Sequence, residues 1–364
     1  MDDAIRFILE TALRAPSGDN MQLLHWIVRG DTLELLRSPK EDLLNRMTLD
    51  RAFFVSVGTM VENVVIAATT RGYRTGISYF PDTSRTDLIA IVRLVVDTSV
   101  IADPLAQVLM VRATNRKPYT RQALTSDERT PLLALSGELG EMRLLEDTPS
   151  IKLLSQAVSV YDELIFSTKV LHNNFFNLIS WTKREDERRR TGFYFPTLSA
   201  PPFSWGAMQL LRHWWIMKLG IALGLHRLLA FEQRQVYQHA GAYGMILARG
   251  DTPLDWVLAG RLVERSWLTA TKAGLSFQPL TGTLYLALGM DSEESRNLFS
   301  LKQQNRIKKA RATLAQLFGV EDRNIAFMFR IGHGNSPGAR TSRLPFEKMV
   351  QIAAPVNDSP VSVA

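Results

Sequence analysis

The sequence predicts a mixed α and β protein built from two related halves, and three observations lead there. Composition is the first: 364 residues, 46% hydrophobic and 22% charged, is the balance of a folded chain with room for two cores. The second is a stripe in the stretch 255–282. Trp256, Gly260, Val263, Trp267, Ala270 and Gly274 recur at intervals of four, three, four, three and four, which is one face of a helix with two small residues that permit close approach. The third is that Phe54, Gly58, Val61, Val65, Ala68 and Gly72 repeat those intervals. The pairs Val61/Val263, Glu62/Glu264, Ala68/Ala270, Thr69/Thr271 and Gly72/Gly274 share an offset of 202, the mark of an internal duplication.

Composition also excludes classes. With no cysteine there is no disulfide, thiolate nucleophile or cysteine-held metal. The opening MDDAIRFILE has no basic region ahead of an unbroken apolar run, so no signal peptide is read and a cytoplasmic protein is expected. The apolar region 205–231 is broken by Arg212, His213, Lys218, His226 and Arg227, which argues against an integral membrane segment. A net charge of +7 favours acidic ligands. No RNA-recognition signature is present and zinc fingers need cysteine, so no nucleic-acid partner is expected.

In chain order, residues 3–14 read as an amphipathic helix with Ile5, Ile8, Leu9 and Leu13 on one side, stopped at Ala15-Pro16. Pro16, Ser17, Gly18, Asp19 and Asn20 are turn formers. Two readings stay open: a plain connection, or a site where Ser17, Asn20 and Gln22 orient an uncharged heteroaromatic ligand. Residues 25–28 and Leu33, Leu35 and Leu36 form strands around the turn Arg29-Gly30-Asp31-Thr32. A helix over 51–72 and a strand over 88–96 follow. Rising polarity and Pro104 divide the chain into a first half, 1–104, and a second, 105–364.

In the second half, Arg112, Thr114 and Arg116 alternate, and in an extended segment they put two cations beside a hydroxyl, which suits a phosphate monoester as well as a solvated basic loop. Helices are predicted over 126–139 and 150–180, the latter buried through Leu153, Ala157, Val160 and Leu164. The charge run 183–190 reads as a solvated face. The aromatic, proline-rich stretch 191–205 is a cap over a cleft or a structural loop, and 205–230 forms one or two helices whose aromatic and basic residues fit either packing or a membrane surface. A strand over 242–248 leads into Arg249-Gly250-Asp251-Thr252, a second copy of the earlier turn. Residues 285–290 read as a brief strand or the edge of a site, 303–318 as a basic helix and 325–330 as a strand. Gly332, Gly334 and Gly338 beside Arg340 and Arg343 suggest a phosphate clamp or a flexible basic tail. His172, His213, His226 and His239 lack metal-ligand spacing.

Taken together, APSGDNMQ, the paired helices, RATNRKPY, GLSFQPLTG and RIGHG with SRLP resemble the FMN-binding nitroreductase family, in particular its long, tandem-duplicated Acg-like members. The resemblance covers most of the chain apart from an insertion at about 180–235. It implies an α+β fold in which two nitroreductase-like halves, each a mixed, mainly antiparallel sheet flanked by helices, form a pseudo-dimer within one chain. It further implies FMN between the halves: Arg112, Thr114 (in place of the family's serine) and Arg116 on the phosphate with Arg343 or Arg340, Gln278, Pro279 and Leu280 against the isoalloxazine, and Pro16, Ser17, Asn20 and nearby Gln22 from the other half. The reciprocal site lacks its arginine element, and VLHNNFFN stands where a Pro-Ser-x-x-Asn turn belongs, so one FMN per chain is expected.

The implied activity is ping-pong oxidoreduction, with NAD(P)H, NADPH included, as reductant and an electron-poor small molecule as acceptor, no catalytic side chain and no metal. The alternatives are a protein that stores FMN under a lid, and a biosynthetic FMN dehydrogenase working with a partner protein. Contact with a membrane or protein through 183–231, and either a monomer or a dimer of such chains, are the remaining expectations.

Overall fold

A computed structural model of the chain describes residues 1–39, 50–201, 204–320 and 324–354. Helix α1 (Asp3–Ala12) begins where the Asp2 carboxylate accepts from the Ala4 N–H at 2.6 Å, and it buries Ile5, Ile8 and Leu9. Strands β1 (Leu24–Arg29) and β2 (Thr32–Arg37) form a hairpin turned at Gly30, whose φ of +65° suits glycine. Helix α2 (Arg51–Thr69), β3 (Tyr73–Tyr79) and β4 (Leu88–Val96) complete the first half.

The second half opens with α3 (Ser126–Leu133), β5 (Glu141–Leu145), α4 (Thr148–Ser167) and α5 (Lys169–Leu178). The expected insertion then holds β6 (Ile179–Ser180), α6 (Lys183–Arg189), β7 (Phe193–Tyr194), α7 (Ser204–Leu211), α8 (Trp214–Ala222) and α9 (Leu225–Tyr237). Pro202 and Phe203 of the aromatic stretch lie outside the described residues. The main body resumes with β8 (Ala242–Leu247), α10 (Pro253–Lys272), β9 (Ser276–Pro279), α11 (Gly282–Gly289), α12 (Glu293–Arg296), α13 (Leu301–Phe318) and β10 (Ile325–Gly332), and ends with α14 (Phe346–Met349) and β11 (Val350–Ile352).

The fold is α+β with two principal sheets. One has the order β11-β1-β2-β4-β3 and the other β5-β8-β10-β9; every pairing in them is antiparallel except β1 with β11. Each sheet packs on its own apolar core. Trp26, Leu33 and Val61 sit in the first, while the second stacks Trp267 on Phe277 and Phe277 on Phe329 at ring separations of 4.6 and 4.3 Å.

Helices α2 and α10 join the two halves, as their shared glycine register predicts. At Gly58 a Cβ would meet the Val257 carbonyl oxygen at 2.0 Å, and at Gly260 one would meet the Val55 carbonyl oxygen at 2.2 Å. The contact is reciprocal under the offset of 202: Val55 and Val257 exchange roles, as do Gly58 and Gly260. Only glycine lets the two backbones come this close. Buried Glu62 accepts from Arg261 at 2.6 Å and from Arg265 at 2.7 Å across the seam, and Arg51 pairs with Asp251 at 2.7 Å.

Several expectations change. The two Arg-Gly-Asp-Thr copies are not equivalent: the first turns a hairpin, whereas the second leads from β8 straight into α10, where Thr252 and Asp255 form a capping box. Residues 285–290 lie largely in α11, a helix whose Tyr285, Leu286 and Leu288 are all buried, and not in a strand. Residues 276–279, within the GLSFQPLTG motif, form a strand. The second half does not keep its C-terminal end to itself either: β11 adds to the first sheet, with Trp26 opposite Val350 and Ile27 opposite Gln351. Residues 205–230 span three helices rather than one or two.

Candidate functional site

The turn after α1 is tied to the far end of the chain. Asp19, Asn20 and Gln22 all take positive φ, at 49°, 56° and 54°, a conformation that ordinary side chains resist and that long-range contacts here maintain. Gln22 donates its amide to the Arg190 carbonyl at 2.7 Å and accepts the Leu344 N–H at 2.9 Å. Asn20 donates to the Ser342 carbonyl at 3.1 Å, and Ser17 Oγ accepts the Gln22 N–H at 3.1 Å. Thr59 of α2 donates its hydroxyl to the Pro16 carbonyl at 2.9 Å, fixing the turn to the central helix pair.

Arginines gather behind this junction. Arg112 is buried, lies 3.2 Å from Glu264 Oε1, stacks over the Trp267 ring at 4.4 Å and donates to the Arg14 carbonyl at 2.7 Å. Arg343 sits among Arg112, Arg14 and Glu264, and its buried Nη1 has no hydrogen-bond partner among the described residues. Burial, reinforced by Arg112 and Arg14, lowers its pKa to about 9. Glu264, wholly buried, is pushed up to about 7 by burial against the pull of Arg112 and Arg343. The Asn63 amide, oriented to donate to Glu264 Oε1 at 2.9 Å and to accept from the Ala15 N–H at 3.2 Å, completes its surroundings.

A single carboxylate with a raised pKa among three arginines leaves positive charge in excess, which is an environment for an anion. The Asn20 Oδ1 is a second buried, unpartnered polar atom, on the turn bonded to Ser342 beside Arg343. A donor and an acceptor without partners at one junction are what a polar ligand would satisfy. The phosphate end of an FMN fits the Arg343 donor on that observation, and a donor elsewhere on the ligand fits the Asn20 oxygen. A cavity of about 20 Å³ lies between the turn and α2, lined by Pro16, Ser17, Met21, Phe53, Ser56 and Met60 among others and by none of these arginines.

The other expected residues are placed differently. Arg340 is exposed and donates to the Met110 carbonyl at 2.9 Å and to that of Val111, near enough to Arg112 to depress its pKa. Thr114 bridges to Phe277 beside β9. Arg116 does not share the partners of Arg112: it donates to the Thr197 carbonyl of the insertion at 3.1 Å, lies 5.4 Å from the Phe193 ring and feels the charge of Asp19 on the turn. Residues 112–116 are not a regular strand, so strand alternation does not set where their side chains go. The Gln278 carboxamide accepts from Arg330 Nε at 2.7 Å, and Leu280 is buried in the second core, its N–H bonded to the Met328 carbonyl at 2.8 Å. Pro279 ends β9 opposite Phe329.

Three residues that the sequence reading passed over organise this region. Arg14 supplies a cation and a carbonyl. Asn115, buried, donates to the Asn335 carbonyl at 2.7 Å and to Ser276 Oγ at 2.8 Å, fastening 112–116 to the C-terminal loop. Arg330, fully buried and without a carboxylate partner among the described residues, donates to the carbonyls of Lys117, Val236 and His239 and lies 4.0 Å over the Tyr119 ring. Arg14 and Asn115 flank motifs that were read, whereas nothing in the strand pattern 325–330 marks Arg330 as inward-facing.

The insertion covers the junction. Asp186, fully buried, accepts the Ser342 N–H at 3.1 and 3.2 Å and its hydroxyl at 2.6 Å, and Arg190 gives its carbonyl to Gln22 and donates to the Arg343 carbonyl at 3.3 Å. Phe193 and Thr197, in the stretch 191–205, both contact Arg116.

No family profile matches the chain. "Uncharacterized protein MT1398" of Mycobacterium tuberculosis is 20% identical over 347 residues, 92% of this chain and 46% of that protein. "Putative NAD(P)H nitroreductase MT3217" and "Putative NAD(P)H nitroreductase Rv3131", from two strains of the same organism, are each 31% identical over 121 residues, 32% of this chain and 35% of theirs. The chain thus spans less than half the length of these relatives. Among solved structures, a nitroreductase with bound FMN from Bacteroides fragilis is 14% identical, covering 72% of this chain and 100% of that one at a TM-score of 0.32. The FMN-dependent nitroreductase NfnB from Mycobacterium smegmatis, in complex with NADPH, is 13% identical, covering 68% and 98% at a TM-score of 0.40. About a third of the chain is therefore similar in sequence to proteins named as NAD(P)H nitroreductases.

Proposed function

We propose that the chain is an FMN-dependent oxidoreductase with one composite flavin site between its halves, reduced by NAD(P)H and discharging to an electron-poor small molecule. The observation that carries this reading is the buried Arg343 Nη1, unpartnered among the described residues and beside Arg112 and Arg14, a cationic cluster next to the turn of the other half. Arg343 and Arg112 would neutralise the phosphate, with Arg340 at the entrance. Asn20 would offer its free oxygen to a ring or ribityl donor, and Ser17 and Pro16 would line the flat side. When bound, FMN would supply the redox chemistry, taking hydride at N5 and passing it on in a ping-pong cycle. The protein's share is binding, orientation and exclusion of water. The sequence similarity to NAD(P)H nitroreductases supports the reductant. The reciprocal Gly58/Gly260 seam supports descent of the halves from one ancestor, and the missing arginine element of the reciprocal site supports a single surviving site.

The direct test is whether the purified protein is yellow and releases FMN on denaturation at one per chain. Colourless protein that no added FMN reconstitutes would refute the proposal, and two FMN per chain would refute the single site.

A second reading has a specific observation in its favour. The insertion is bonded across the junction through Asp186, Arg190 and Thr197, which is how a protein that sequesters FMN would shut out nicotinamide. Stopped-flow mixing with NADH and NADPH separates the two: rapid loss of flavin absorbance supports the oxidoreductase, and persistent absorbance supports storage.

A further inference from the structure

Helices α7, α8 and α9 place unpartnered apolar side chains on the outside of the molecule. Trp215, Leu219 and Leu223, spaced by four residues along α8 into the bend that follows it, are 66%, 62% and 88% exposed. Leu210, Leu228 and Phe231 extend the patch along the neighbouring helices. Contiguous exposed apolar surface of this kind is uncommon on a soluble protein without a role. Cations are interleaved with it: Arg212, Lys218 and Arg227 are exposed, and Glu232 is the only acid between positions 204 and 237.

The inner face of the same hairpin is already filled. Met217, Gly220, His226 and Ala230 are buried against the body, and Trp214 meets the His172 ring edge-on at 5.1 Å while His172 Nε2 bonds the Leu211 carbonyl at 2.8 Å. A Cβ on Gly220 would come within 2.9 Å of Leu225, so this glycine lets the chain fold back, and α8 and α9 meet at 87°. Together the two helices are long and apolar enough to cross a membrane, but the bend and the anchored inner face leave them lying on the surface.

An anchored hairpin with a leucine-rich tip and cationic flanks matches the interface of an acidic bilayer, where apolar side chains enter the headgroup boundary and basic ones stay with the phosphates. We propose that α7–α9 form a docking surface for anionic phospholipid membranes, with Trp215, Leu219 and Leu223 entering the interface. Charge complementarity selects this occupant over a second copy of the chain, since two such faces would oppose their cations. The inference is independent of whether the chain binds FMN.

Co-sedimentation of the full chain with vesicles tests it. Vesicles containing phosphatidylglycerol should retain at least about ten times more protein than phosphatidylcholine vesicles, and added salt should reduce this difference. The double variant Leu219→Glu/Leu223→Glu should lose retention at least about ten-fold with an unchanged melting temperature, because both residues are exposed. Lys218→Glu/Arg227→Glu should remove the preference for acidic lipid and gives a second reading if the first variant does not fold. Absence of the wild-type protein from acidic vesicles, or retention indifferent to both variants, would overturn the proposal. So would a dimer in sedimentation velocity that Leu219→Glu/Leu223→Glu dissociates without any vesicle binding.

Discussion

Arg343 is the residue on which the anion reading turns. Its guanidinium is buried beside two other arginines and lacks a partner on Nη1, so a bound phosphate would gain charge-assisted hydrogen bonds worth roughly 1.5–3 kcal/mol. Arg343→Ala should therefore weaken FMN binding about ten- to a hundred-fold, measured by fluorescence titration of the apoprotein, while relief of cation repulsion leaves the melting temperature unchanged or raised. Equal affinity in the variant would remove Arg343 from the site. Asp162 makes a separate residue-scale case. One carboxylate oxygen is buried without a partner and the other accepts from the Tyr237 hydroxyl at 3.2 Å; burial raises its pKa to about 7 from 3.8. The folded chain then holds a proton that the unfolded chain has released between about pH 3.8 and 7. This contribution to stability is full below that window and lost as pH rises through it, on the order of 2–4 kcal/mol. Chemical denaturation across this range should show a smaller decline with pH for Asp162→Asn than for the native chain, and parallel curves would contradict the assignment.

At the scale of elements, the α2–α10 seam depends on two glycines. A methyl group on either would fall at or inside 2.2 Å of a facing backbone carbonyl, which no rotamer change relieves. Gly58→Ala and Gly260→Ala should each cost about 2–3 kcal/mol or more, read as a drop in urea midpoint, despite alanine's better helix propensity. An unchanged midpoint in both would mean that the helices are not this close. Strand β9 shows another device. Arg330 holds Gln278, the Lys117 carbonyl and the end of α9 at once, so Arg330→Met leaves several buried acceptors unpaired and should destabilise by about 3 kcal/mol.

For the whole molecule, the question is how the insertion is held over the junction. Asp186 is buried and accepts three contacts from Ser342, with Lys183 at 3.1 Å as its counter-charge. Asp186→Ala should loosen both segments, seen as faster hydrogen exchange around 183–190 and 340–344 with little change in the cores. If the cap restricts access, the same variant should also speed flavin reduction by NADPH several-fold. Exchange unchanged in both segments would show that the cap is held by other contacts.

Much of the fold was legible in the sequence because its signals are local or periodic. The glycine register identified the α2–α10 pair, since a 3.6-residue repeat with small residues describes a helix face independently of its partner. The turn 16–22 and the 340–344 segment could be singled out from residue type alone, and the structure ties them together through Gln22 and Asn20. What the sequence could not contain was direction. Arg112 and Arg116 are four residues apart, yet one turns toward Glu264 and the other toward Phe193, because irregular backbone carries no fixed periodicity. Gln278 is occupied within β9 and Leu280 just beyond it is buried in the second core, since the pairing of β9 with β10 and the inward turn of Arg330 are decided by contacts 52 residues apart. The sequence by itself determined the α+β class, the two matched helices and the segments that meet at the junction. Tertiary structure alone decided which arginines cluster, that β11 joins the other half's sheet and that the insertion bonds to the turn and to the 342–343 segment, because these are long-range pairings.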